Sequence, residues 1–155
     1  MDDVLELSEI VYDERARNGE WCNHHGFKCM NYPGCPKKPT FPEIEEKIGP
    51  FKWYAVLEEF DIAEWERTHS KEGRSRKMAR NPRWWQKGVR KRLLNKAEKF
   101  KVSLKKQLTD TVIILEIPEC HGVDVIHTMA KVGVRFEWGL EAKKFVKVMF
   151  VGKKI

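Results

Sequence analysis

Residues 81–118 read NPRWWQKGVRKRLLNKAEKFKVSLKKQLTDTVIILEIP. Asn81 before Pro82 is a helix-start signal, because Asn caps the first free N–H groups and Pro fits the first helical position. Trp85, Val89, Leu93, Ala97, Phe100, Leu104 and Leu108 then recur at spacings of four and three. That is one apolar stripe, and it predicts a helix running to about Leu108. The pattern then changes to a short apolar run, Thr111–Ile117, closed by Pro118, which predicts a buried strand. A long amphipathic helix delivering the chain into a buried strand points to a layered α/β fold.

Working outward, Phe51–Ile62 alternates as a strand, and Asp61 suits the N-cap of a helix through Trp65 towards Gly73. Gly122–Val132 reads as a helix stopped by Gly133, and Val134–Trp138 and Phe145–Val151 read as the last strands. Val4, Leu7 and Val11 share a helical face, so residues 2–18 are expected to be helical. Pro42–Ile48 reads as one short helix closed by Gly49-Pro50. The expected architecture is α/β: one domain over residues 1–155 with a single mixed sheet of about four strands, packed helices and a Cys-rich irregular loop at 19–42.

The 155-residue chain carries a formal net charge of +7, but the charge is uneven. From Arg67 to Lys106 there are 16 Lys or Arg and two acids, Glu72 and Glu98, a net +14 that leaves −7 for the remainder. Such asymmetry is an interaction signal. Eight Phe, six Trp and three Tyr supply burial that argues against disorder. No run approaches the ~18 apolar residues of a membrane span. The opening Met1-Asp2-Asp3 lacks the basic-then-apolar build of a signal peptide, so a cytoplasmic location is expected.

Four cysteines occur, Cys22, Cys29 and Cys35 in the Gly- and Pro-containing loop and Cys120 after the strand-ending Pro118. Four thiolates suit a tetrahedral zinc ion at ~2.3 Å per bond, and equally an iron–sulfur cluster. Buried unlinked thiols and a disulfide such as Cys22–Cys29 are the competing readings. His24, His25 and His121 are alternative ligands, and each also reads as an ordinary loop residue. Asp124 reads as a helix N-terminal acid and, alternatively, as an outer hydrogen-bond partner to a metal ligand. A Cys120 nucleophile paired with His121 or His127 is conceivable, but no hydrolase, phosphate-loop or dinucleotide motif accompanies it.

Cys29-x-x-Tyr32-x-x-Cys35-Pro36, preceded by Cys22, and the distant Glu119-Cys120-His121-Gly122-Val123-Asp124-Val125 resemble two motifs of a predicted metal-binding family, domain of unknown function 2284. The resemblance touches residues 20–135 and implies metal binding, but no reaction. Its central Cys cluster is replaced here by the Lys- and Arg-rich segment. His121 is an insertion between Cys120 and Gly122, and Cys35 is followed by Pro-Lys rather than Pro-Pro. The chain would be a reduced member with one site.

The basic helical segment, residues 67–108, has the ingredients of nucleic-acid binding at 74–106, RNA in particular. Arg74, Arg76, Lys77, Arg80, Arg83, Lys87, Arg90 and Lys91 supply cations for phosphate, and Trp84 lies off the core stripe where it can stack on a base. A solvated face is the bland alternative. The expected partner is nucleic acid or another polyanion, or an acidic protein surface, including the acidic body of the same chain.

Overall fold

The computed structural model describes residues 3–17, 38–69 and 75–155. Four strands, β1 (Val4–Leu7), β2 (Phe51–Phe60), β3 (Val112–Leu115) and β4 (Phe145–Lys154), form one sheet in the order β1-β2-β4-β3. Every neighbouring pair is antiparallel, so the sheet is not mixed as expected. β2 and β4 pair over their full length, from Phe51 opposite Lys154 to Phe60 opposite Phe145. Alternation along these strands gives the sheet two apolar faces. Trp53, Ala55, Leu57, Val148 and Phe150 point to one, and Val56, Met149 and Val151 to the other.

Five helices are described: α1 (Phe41–Lys47), α2 (Ile62–His69), α3 (Arg76–Ala79), α4 (Gln86–Leu104) and α5 (Val125–Ala130). α4 covers the second face alone, with Val89, Leu93 and Ala97 buried and Leu93 and Ala97 in the same cluster as Val56 and Met149. Its entry is pinned where Trp85 stacks between Phe60 at 4.5 Å and Phe145 at 5.2 Å. The first face is covered by several short pieces. Ile44 of α1, Val125 and Met129 of α5, and Val123 and Val134 pack there.

Three expectations fail for nameable reasons. The helix expected over 2–18 is absent from its described residues, 3–17. Val4–Leu7 pairs with β2 as an edge strand, and Glu14–Arg17 is one 3-10 turn. Leu5 and Leu7 face the first core and Val4 the second, so the two-sided demand of the sheet overrides a weak helical pattern. Val134–Trp138 forms no ladder. Its alternation instead places Val134 and Phe136 against the first core. Pro82–Trp84 is a 3-10 turn ahead of α4, and Leu108 lies beyond the helix, 96% exposed. Asp61 caps α2 as expected, accepting from Glu64 N at 3.0 Å, whereas Asn81 caps the 3-10 turn, accepting from Arg83 N at 3.0 Å, and α4 itself has no side-chain cap.

Candidate functional site

The chain leaves β3 into the 3-10 turn Pro118–His121, which carries Cys120. Gly122 closes the turn at φ +83°, where a Cβ would collide with the Tyr12 ring. Cys120 is fully buried. The N-terminal strap 11–17 lies across this turn through Asp13 N to Gly122 O and Asp124 N to Val11 O, each 2.8 Å. Val11 N also donates to Thr128 Oγ1 at 2.9 Å.

The strap ends at Arg17, whose guanidinium donates to Lys38 O at 3.1 Å. His121 Nδ1 lies 2.7 Å from Pro39 O. A carbonyl only accepts, so the ring proton sits on Nδ1 and Nε2 keeps its lone pair. Burial pushes the His121 pKa down, against the pull of that hydrogen bond, which favours the neutral ring. Both described ends of segment 18–37 are thus fastened beside Cys120. Cys22, Cys29, Cys35, His24 and His25 lie outside the described residues, as does Arg74. Among the described residues, no three His, Cys, Asp or Glu side chains form a metal-binding group.

Asp124 caps α5, accepting from His127 N at 3.0 Å, and its other oxygen holds His127 Nδ1 at 2.6 Å. The helix N-terminal role is therefore met. Next to Cys120, Glu119 is half-buried, and burial pushes its carboxyl pKa up, opposed by its own backbone N–H and the charge of Lys147. Burial likewise pushes Lys147 down.

The basic segment divides into two sets. Arg80 is buried; it reaches Glu66 at 2.8 Å and donates to Ala142 O at 2.7 Å and Gly139 O at 3.3 Å. Arg76 pairs with the same carboxylate and donates to Leu140 O at 2.9 Å. The Arg76 hydrogen bond, with Arg80 behind it, holds Glu66 below the usual carboxylate range despite burial. These two arginines join α2 and α3 to the 139–142 turn. Arg90 reaches Glu116 at 3.5 Å, and Arg92 reaches Glu58 at 3.3 Å. Lys96 pairs with Glu58 and, at 3.3 Å, with Asp3. Burial opposes the Lys96 charge, but Glu58 and then Asp3 outweigh it and raise its pKa.

In the second set, Lys77, Lys87 and Lys91 are exposed, with no ion pair among the described residues. Arg83 is exposed and lies over the half-exposed Trp84 ring at 5.3 Å. Sequence reading missed Glu66, Glu119 and the Arg17–Lys38 anchor. Their partners are 10 to 28 positions away, beyond any local pattern.

The chain matches no protein-family model, no curated protein and no solved structure. No helix of the described residues is long and apolar enough to cross a membrane.

Proposed function

We propose that this is a small metal-binding protein that holds one zinc ion or iron–sulfur cluster through Cys22, Cys29, Cys35 and Cys120. One observation carries the reading. Arg17 and Lys38, the flanks of the three-cysteine segment, are tied to each other and, through Pro39, to His121 beside Cys120. Cys35 is three residues from Lys38 and Cys22 five from Arg17. At ~3.6 Å per residue, both thiols have the reach to meet Cys120. His121, with its Nε2 lone pair free of the Pro39 contact, is the alternate donor if one Cys is unused.

Four thiolates on zinc make a closed structural site whose binding free energy adds to folding. An iron–sulfur cluster on the same ligands serves electron transfer or sulfur chemistry. The test is metal and sulfide quantification on anaerobically purified full-length protein. One zinc, or iron with matching sulfide and a visible absorbance band, is expected, with loss in Cys120→Ser. Protein free of both zinc and iron would sink the reading.

A further inference from the structure

The internal ion pairs sort the cations of α4 by where they sit around the helix. Arg92 and Lys96 take Glu58, and Arg90 takes Glu116, so the flanks facing the sheet are neutralised. The stripe on the side of the helix away from Arg92 and Lys96 is different, with Leu94 at its inner edge half-buried against the second core. It runs Lys87, Lys91, Leu94, Glu98, Lys101 and Lys105 at spacings of four and three. Lys87, Lys91 and Lys105 are exposed and Lys101 is half-buried. Among the described residues none of these four lysines has an ion pair, and Glu98 is the single acid in the stripe. The lysines from 87 to 101 span about 21 Å of helix, the length of roughly six steps of duplex.

We propose that this stripe of α4, continued by its C-cap Lys105, binds the phosphate backbone of nucleic acid. A row of cations at helical spacing stabilises itself poorly in isolation, because like charges one turn apart repel. Among the described residues, Glu58, Glu66 and Glu116 are held by Arg76, Arg80, Arg90, Arg92 and Lys96, and Asp110 offsets Lys105 alone of the four lysines, at the end of the row. An external anion fits the stripe's lysines from 87 to 101, which have no paired acid among the described residues. A polyphosphate chain presents negative charge at regular spacing along a line, which matches a linear array better than a single small anion does. The contacts are to phosphate, so the face reads no base sequence. DNA and RNA share this chemistry.

The stripe does not depend on the cysteine site, so the two proposals fail separately. The test uses fluorescence anisotropy with fluorescein-labelled 20-nucleotide single-stranded RNA and 20-base-pair DNA duplex as probes on the full-length protein. Micromolar-range binding at low salt is expected, falling steeply between about 50 and about 200 mM salt. Combined Lys87→Gln, Lys91→Gln, Lys101→Gln and Lys105→Gln lowers the salt slope by about 3, at roughly 0.7 to 0.9 per lost contact. Glu98→Gln, which removes the one acid, tightens binding a few-fold. Lys131→Gln with Lys154→Gln, exposed cations elsewhere, leaves the slope unchanged. The stronger of the two probes names the preferred nucleic acid. Circular dichroism checks that the fourfold variant stays folded. Equal binding by the fourfold variant, salt-insensitive binding, or displacement of the probe by polyglutamate as readily as by unlabelled RNA overturns the proposal; the last outcome assigns the face to an acidic protein.

Discussion

The two faces of the sheet are covered in opposite ways. One face is sealed by a single 19-residue helix, α4, whose buried residues are all local to one stretch of chain. The other is sealed by α1 and by α5 with the run 134–138 that follows it, and the strap 11–17 is tied in turn to the Gly122 turn and α5. The helix is held by its own backbone hydrogen bonds plus one apolar stripe. The patchwork is held by side-chain and backbone contacts across more than a hundred positions, such as Val11 to Thr128. Chemistry follows the same division. The helical side presents a charged outer stripe, while the patchwork side contains Cys120 and both flanks of the three-cysteine segment.

Equivalent deletions in the two coverings should not cost the same. Leu93 and Met129 are both fully buried, one against each face. Leu93→Ala is expected to lose about 3 to 4 kcal/mol, because a straight helix over a paired sheet collapses poorly into the void. Met129→Ala is expected to lose about 2 kcal/mol, since short independent pieces relax around a flexible side chain. Urea unfolding measures both, and equal losses would show that the patchwork is as rigid as the helix.

The Glu66 cluster tests how α2 and α3 are tied to the 139–142 turn. Glu66→Gln leaves the buried Arg80 guanidinium with carbonyls alone and is expected to cost about 2 to 3 kcal/mol. The pH dependence has a fixed sign. Arg76, then Arg80, hold the folded-state pKa of Glu66 below its unfolded value. Its contribution is therefore complete above about pH 4.3 and is lost as pH falls from there through the folded-state value. Acid titration of thermal stability should show a smaller loss in Glu66→Gln than in the native protein, the remainder belonging to Asp13, Glu64 and Asp110, whose pKa values are lowered too.

Gly122 tests the patchwork at its tightest point. Gly122→Ala meets both a left-handed backbone and the Tyr12 ring, so the strap must lift from the Cys120 turn. A loss of about 1 to 3 kcal/mol is expected. Hydrogen exchange should place it at Asp13 and Asp124, whose amides bridge strap and turn, and leave α4 unaffected.

The same division explains what was legible in the sequence. α4, β2, β4 and the caps at Asp61 and Asn81 were readable because each signal is local: a period, a cap, a turn residue. The stripe from Val89 to Leu104 needed nothing beyond its own spacing. β1 was misread because four residues are too few to set a period, and its strand identity comes from pairing with β2, some fifty positions away. Val134–Trp138 has a true alternation, but alternation reports which side chains are buried, not whether the backbone finds a ladder partner. In the candidate site, Asp124 as a cap was legible from one turn of sequence. The meeting of Arg17, Lys38 and His121 was not, because it depends on where two distant segments cross.

The smallest predicted effect separates stability from binding on the helical side. Lys87 lies in the first turn of α4, which has no acid there and no side-chain cap. A cation at that end opposes the helix dipole. Lys87→Glu should therefore stabilise the protein by about 0.3 to 1 kcal/mol in low salt, with the gain shrinking as salt is added. The same substitution removes one phosphate contact and adds a repulsive charge, so nucleic-acid affinity should fall. A residue kept only for solubility has no reason to sit where its charge costs stability. If Lys87→Glu raises the melting temperature and weakens RNA binding together, the position is held for the anion. If stability rises and binding is unchanged, Lys87 lies outside the contact and the stripe must begin at Lys91.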